Sequence, residues 1–447
     1  MGLIGAATLG AVMLSPAMTL YGNFGAAFGT AGKAAPLAFV WGLLATLPTA
    51  ASYALVSRDH PASGSAASWT AKALSARIAR WVGWMAFLYY LTNFILQPVT
   101  FGLFLRDLIP GASLGVYALG ALLCCAIPAA IAYRGISPST HGALALLLGE
   151  TLVVAALCLT AVFWNPQRAG PLSADGFALS SAQGGFPGLM QAMIFALLSY
   201  CGFDVVSTLS EEARMARTLI PRATFLCLLL FGGFVIGGVW CLSYALPRGQ
   251  LLALIAEGGL PIGGIARALW GRAAVLVTLT GLTSALGIAI ATAVGASRVL
   301  FAMGRGGLAP ATFGRLHPTA RVPWNAMHLV FAAGLLGALI AGALVGPYQA
   351  YLWWGTTSTF FAMITFVFVN LANLSLNRAR ATESISSFLL YCGLPLLGIV
   401  IDLYILYRCF FVELWGQPWA TGRSVLAFDL ACAAVALVAL LGRRTKS

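Results

Sequence analysis

The chain has 447 residues, 60% of them hydrophobic and only 8% charged, with a mean hydropathy of +0.91. Soluble domains carry about 25% charged residues, so a water-soluble fold is excluded and the solvent must be lipid. The net charge of +13 is scattered singly between apolar runs, which reads as loop charge that sets membrane orientation and not as a nucleic-acid surface.

Crossing about 30 Å of hydrocarbon takes roughly 20 helical residues. Twelve apolar runs meet that length, at 3–29, 34–57, 77–108, 114–133, 138–164, 188–213, 220–246, 272–303, 324–345, 349–376, 385–411 and 421–441. The first 20 residues lack a basic n-region and lead into more apolar sequence, which argues against a signal peptide.

The first run carries its own breakers, SPAMTLYGNFG, from Ser15 to Gly25. Pro16 removes a donor and clashes with the preceding turn. Gly22 and Gly25 relax the backbone further. In lipid, irregular backbone survives only where it is buried in protein or lines a cavity. Two readings follow: a helix unwound over Ser15–Gly22 at a binding site, or a proline kink with glycines for close packing.

The third run exceeds a minimal span and is expected to tilt. It holds Asn93 and Gln97 at i, i+4, suited either to substrate or to interhelical hydrogen bonds. In the fifth run, Glu150 stands in ALALLLGETLVVAAL with no basic neighbour. Charge at that depth is expensive and marks function by default. Glu150 is therefore a candidate for proton coupling, against the alternative of a hydrogen-bonded structural acid.

The sixth run, FALLSYCGFDVVSTLSEE, is broken by Ser199, Tyr200, Cys201, Gly202 and Asp204. Paired breaks in corresponding runs of two halves point to a transporter's midplane site. The organisation expected is an all-α polytopic membrane protein of twelve spans. Residues 1–164 and 186–376 form a five-plus-five inverted repeat, 385–441 supply two accessory helices, and helices 1 and 6 are discontinuous. A half-helix that starts in mid-membrane offers N–H groups to a carboxylate, and one that ends there offers carbonyls to an ammonium. Together they fit a small zwitterion such as an amino acid.

The ligands expected are the backbones of Ala17, Met18, Thr19, Tyr21 and Gly22, and of Ser199, Tyr200, Cys201 and Gly202. Thr19, Tyr21, Asn23, Asn93, Ser199 and Tyr200 add side chains. Tyr200 is alternatively a gate, and Tyr21 and Tyr200 are alternatively packing aromatics. Asp204 is a second proton-coupling candidate; it also suits an ammonium or a helix cap. Glu211 and Glu212 are expected to pair with inner arginines. In the eighth run, Thr283 and Ser284 fit substrate or helix contacts equally. Asp402, in the eleventh, is expected to have a structural partner.

The nine cysteines sit in apolar segments without a CxxC pair and read as buried hydrophobes. His60, His141, His317 and His328 lack metal spacing, and there is no Walker loop or nucleophile–base pair. No cofactor, metal or enzymatic activity is expected. With the N-terminus inside, the inner loops and ends hold seventeen Lys and Arg and the outer side eight, which places both termini in the cytoplasm.

Three segments resemble the bacterial amino acid–polyamine–organocation (APC) permeases. They are AAPLAFVWGLLATLPTAASYALVSRDHPASGSA in helix 2 and its loop, GFDVVSTLSEEARMARTLIPRA from helix 6 to 7, and ASRVLFAMGRGGLAPATFGRLHPTARVPWNA from helix 8. The resemblance implies a LeuT-type fold in the bacterial inner membrane and secondary transport of amino acids or amines by alternating access. Members of that family carry Gly-Ser-Gly at the helix 1 break, where this chain has Ser15-Pro16-Ala17-Met18-Thr19. Asn-Pro is replaced by Met215-Ala216, and Arg-Asp-Gly by Arg305-Gly306-Gly307. Some members place a lysine near Glu150. Alignment back from Gly307-Leu308-Ala309-Pro310 sets Ile288 and Ala289 opposite the helix 1 break. Neither can coordinate sodium, so transport is expected to be sodium-independent, proton-coupled or by exchange. The readings that compete with an amino acid permease are a polyamine or organic amine permease and an amino acid sensor without flux. A major facilitator fold is disfavoured, because SRDHPASGSAASW lacks the basic motif expected between helices 2 and 3.

Overall fold

The computed structural model describes residues 14–62, 64–109, 111–134, 140–204 and 216–441. Among these residues there are helices and turns and no strand. Among the described residues, nine helical runs are long and apolar enough to cross a membrane, and two shorter apolar helices, Gly185–Tyr200 and Ser424–Val438, accompany them. In a bilayer core each backbone group must be paired within the segment, and a helix does this with its own bonds.

The main helices are α1 (Phe24–Ala31), α2 (Ala35–Asp59), α3 (Ala76–Leu108), α4 (Leu114–Tyr133), α5 (Thr140–Phe163), α6 (Gly185–Tyr200), α7 (Ala216–Leu242), α8 (Val275–Arg305), α9 (Trp324–Val345), α10 (Pro347–Leu376), α11 (Leu394–Ile405) and α12 (Ser424–Leu441). The second to fifth, seventh to tenth and twelfth apolar runs begin and end within a few residues of these limits, and the eleventh, 385–411, falls within the continuous helical run Ile385–Leu414, in which π turns flank α11. The first run is described only from Leu14. Between α1 and α2 the chain turns through Gly32–Ala34, where Gly32 takes φ 59, a value that costs glycine little.

α3 is the central post. It starts on an N-cap in which the Ser75 hydroxyl accepts the Ile78 N–H, and it packs against α4, α8 and α10. Gly102 and Gly120 let α3 and α4 meet backbone to backbone; a Cβ at Gly120 would lie on the Gly102 Cα. Small residues of this kind bring membrane helices close enough for dispersion contacts to accumulate. α2 packs against α7, α6 and α11.

α5 shows how the sequence sorts its faces. Leu146, Leu148, Leu152 and Leu159 are exposed, whereas Glu150, Val154, Leu157 and Ala161 are buried. The buried set recurs at i, i+4, i+7 and i+11, one face of a helix. Glu150 therefore looks into the bundle and not toward lipid.

Among the described residues, three short α-helices lie in loops outside the twelve runs: Ser65–Ala73, Arg248–Ala256 and Pro261–Trp270. The last begins with a proline at its first position, where the missing N–H costs nothing.

Candidate functional site

The break in the first run is confined to one residue. Leu14 is helical and Ser15 is not. Ser15 has φ 30 and ψ 108, and its hydroxyl accepts the Met18 N–H at 3.1 Å. Pro16–Met18 then form an α turn and Thr19–Asn23 a π turn that runs into α1. The expected unwinding over Ser15–Gly22 is thus narrower than anticipated. A serine cap followed by proline at the first position restarts a helix at once, and the strain of re-entry is held by Ser15 in a backbone region that L-residues seldom occupy. The π turn widens the helix over Thr19–Asn23, as such turns often do at functional sites.

Ser15 joins three helices. Its hydroxyl donates to Glu150 Oε1 of α5 at 3.0 Å and is in hydrogen-bond contact with the Ser284 hydroxyl of α8. All three residues are buried. Ser284, and not Ile288 or Ala289, faces the break, so the alignment from the Gly307 loop is one helical turn out. Thr283 is exposed, and its hydroxyl bonds to carbonyls of its own helix. A carboxylate near the start of a helix is favoured by the N-terminal dipole, and Glu150 meets the restarted helix through the Ser15 hydroxyl.

The π turn faces α6 and α10. Asn23 Nδ2 donates to the Ser199 hydroxyl at 2.8 Å, while the Tyr351 hydroxyl donates to Asn23 Oδ1. Gly22 lies under Tyr351; a Cβ there would overlap the Tyr351 hydroxyl. Phe195, Tyr351 and Tyr348 form a stacked ladder beside this contact, with interplanar angles of 16° and 7°. Tyr21 turns the other way: its hydroxyl meets Thr280 at 3.2 Å and its ring packs edge-on to Phe104. Thr19 donates to the Leu14 carbonyl at 2.9 Å, bridging the break itself. Ala17 and Met18 are buried in the α turn.

α6 stops at Tyr200. The Cys201 N–H closes the helix on the Leu197 and Leu198 carbonyls, and Gly202 takes φ 122. The Ser199 hydroxyl donates to Phe195 O at 2.7 Å while accepting from Asn23. The π turn that follows the first break is therefore linked by a direct hydrogen bond to the last turn of α6, just before the second. The Tyr200 hydroxyl donates to the Phe39 carbonyl at 2.9 Å, and its ring packs on Phe39 and Phe231. Tyr200 thus packs against α2 and α7, away from the break. The stretch that would continue past the break, with Glu211 and Glu212, lies outside the described residues.

Asp204 is buried and fully engaged. Tyr89 donates to Oδ1 at 3.0 Å, Tyr90 donates to Oδ2, and the Gly202 N–H reaches Oδ1 at 3.1 Å. This arrangement fixes the end of α6 to α3. Asn93 pairs with Gln97 inside α3, at 3.3 Å between side chains. Asp402 accepts from Thr49 at 3.0 Å and Asn370 at 3.1 Å, tying α11 to α2 and α10.

The structure therefore assembles Ser15, Glu150 and Ser284 on one side of the first break, and Gly22, Asn23, Ser199 and Tyr351 on the other. Tyr351 and the Tyr89–Tyr90 pair were not singled out in the sequence. Tyr351 sits in an unbroken helix and carries no local signal. The adjacent tyrosines in YYLTNFILQP were a visible clue, because aromatic hydroxyls in lipid need partners.

A sequence profile of the amino acid permease family matches residues 9–442. The low-affinity putrescine importer PlaP of Escherichia coli (strain K12) is 27% identical over 401 residues, covering 87% of this chain and 84% of the relative. The branched-chain amino acid permease BcaP of Lactococcus lactis subsp. cremoris (strain MG1363) is 23% identical over 426 residues, covering 89% and 86%. The methylthioribose transporter of Bacillus subtilis (strain 168) is 24% identical over 343 residues, covering 70% and 69%.

Proposed function

Because the chain belongs to the amino acid permease family of the APC superfamily, we propose that it is a secondary active transporter that moves an amino acid across the bacterial cytoplasmic membrane by alternating access. Its relatives are transporters and not enzymes, and its long apolar helices make it a multi-pass membrane protein. In this reading twelve spans form two inverted five-helix repeats and two accessory helices, with both termini in the cytoplasm. The excess of Lys and Arg on the inner loops supports that orientation.

The observation that carries the mechanism is Ser15 at the break, bonded to Glu150 and touching Ser284. Substrate enters where Asn23 now bridges Ser199 and Tyr351, its ammonium near the carbonyl end of α6 and its carboxylate near the N–H groups of the restarted helix. Parting of that bridge shifts the first run, and Ser15 transmits the shift to Glu150. When the side chain is wetted it exchanges a proton with water. When the site closes, an unpaired charge at that depth costs several kcal/mol, so the acid must be neutral or bonded. A proton thus accompanies substrate, in symport or exchange. Sodium independence remains part of this reading, although Ser284, and not Ile288, brings its hydroxyl to the break.

The similarity to a putrescine importer favours one second reading, an organic amine as cargo. Asp204 does not add to it, because its oxygens are already held by Tyr89, Tyr90 and Gly202. Thermal stabilisation of the purified protein against a panel of amino acids and amines identifies the class, since a ligand that binds only the folded state raises its stability by mass action. Flux of that ligand in proteoliposomes then separates a carrier from a sensor: binding without flux would overturn the transport reading.

A further inference from the structure

A second site, unrelated to the breaks, lies on the flank of the bundle where α2, α7 and the approach to α11 meet. It is a cavity of about 330 Å³ lined by Ala51, Ala54, Leu55, Arg58, Pro221, Arg222, Phe225, Leu390 and Leu394. From α2 come Ala51, Ala54, Leu55 and Arg58, spaced i, i+3, i+4 and i+7 on one helix face. The walls are thus apolar and the charge is gathered at the end of α2. Arg58 pairs with Asp59 at 3.0 Å, and Arg380 shares the same carboxylate at 2.5 Å. Arg222 is exposed and has no acid partner among the described residues. Two arginines on one acid, with a third that has no acid partner among the described residues, make the described mouth of the cavity positive.

Beyond this mouth the surface is made for hydrocarbon. Leu226, Leu229 and Leu230 of α7 are exposed, as are Leu44 of α2 and Leu389, Leu390 and Leu397 beside α11. We propose that this groove binds an anionic phospholipid. Its phosphate and charged head group sit between Arg58 and Arg222, its glycerol fills the cavity, and its acyl chains lie along the exposed leucines. Guanidinium groups suit phosphate because they offer planar, forked donors, and basic pockets between membrane helices are a recurrent way of holding acidic head groups. A zwitterionic choline lipid would bring a cation to an already positive mouth. Bound there, the lipid would brace α2 and α7 of the transport core against accessory α11.

The test uses the full-length protein, purified in detergent and offered equal amounts of phosphatidylglycerol and phosphatidylcholine, with retained lipid read by native mass spectrometry. Each basic side chain near a lipid surface is worth about 1 kcal/mol, or roughly fivefold. The parent should retain phosphatidylglycerol about fivefold or more over phosphatidylcholine, and R222Q should lose roughly fivefold of that preference. Arg222 is exposed and outside the transport site, so the variant should fold and bind substrate like the parent. L390W, which fills the rim of the cavity without changing charge, should also release the lipid. R315Q, on an exposed loop outside the cavity lining, should not. Equal retention of both lipids by the parent, undiminished preference in R222Q and L390W, or the same loss in R315Q as in R222Q would each overturn the site.

Discussion

The Ser15 hydroxyl lies 3.0 Å from Glu150 Oε1, across 135 positions of sequence. It joins the helix break directly to the buried acid of α5. Ser15 also caps Met18 and holds φ 30, so cap, strain and contact are separable by substitution. Ser15→Ala loses the cap, worth about 1 kcal/mol, and keeps the strained backbone. Ser15→Gly loses the same hydroxyl but removes the strain. Thermal unfolding should rank parent above Ser15→Gly above Ser15→Ala, while both variants lose gradient-driven uptake to a similar extent. Uptake that follows stability instead would make Ser15 a structural cap only.

On the side proposed to face substrate, Asn23 bridges Ser199 and Tyr351. Asn23→Ala removes the bridge from Ser199 to Tyr351, and we predict a rise in KM of tenfold or more, from about 1–3 kcal/mol of lost or orphaned hydrogen bonding. Gly22→Ala should be worse than its one added methyl suggests, because the Cβ meets the Tyr351 hydroxyl. Tyr351→Phe in the Gly22→Ala background should recover part of the loss. Equilibrium binding of radiolabelled substrate measures both.

Asp204 is predicted to be a fastener and not a coupling site. Tyr89→Phe and Tyr90→Phe together leave its carboxylate with the Gly202 N–H as its remaining named partner, which should cost about 1–3 kcal/mol per partner removed. Asp204→Asn keeps much of the bonding and should retain pH-gradient-driven accumulation. Loss of that accumulation in stable Asp204→Asn protein would move the coupling role to Asp204.

Uptake should be unchanged when choline replaces sodium at fixed pH and membrane potential. A collapse under that exchange would show that Glu150, Ser15 and Ser284 part to admit a cation.

How much of this was legible depended on the range of the interactions. Long apolar runs ended by proline, glycine or charge predicted α4 and α9 to the residue, because span length is set by the bilayer. The inward face of Glu150 has a counterpart in the sequence, where Leu148, Leu152 and Leu159 are spaced for the opposite side of α5. The extent of the first break was misjudged because proline and glycine were weighed as breakers, whereas Pro16 after Ser15 starts a helix. Ser284 was named as fitting substrate or helix contacts, but Ile288, one turn away, was set opposite the break: the alignment ran back from a loop, and nothing local marks which turn of α8 faces Ser15. Tyr351 was beyond reach, since its role depends on Asn23, 328 positions away.

The most direct test is Glu150→Gln in proteoliposomes, which keeps shape and much of the hydrogen bonding to Ser15 and removes the titration. Accumulation driven by an imposed pH gradient should be lost, while substrate binding and exchange of internal for external substrate persist. Accumulation equal to the parent's between about pH 5 and pH 8 would contradict the account and leave Glu150 a structural acid.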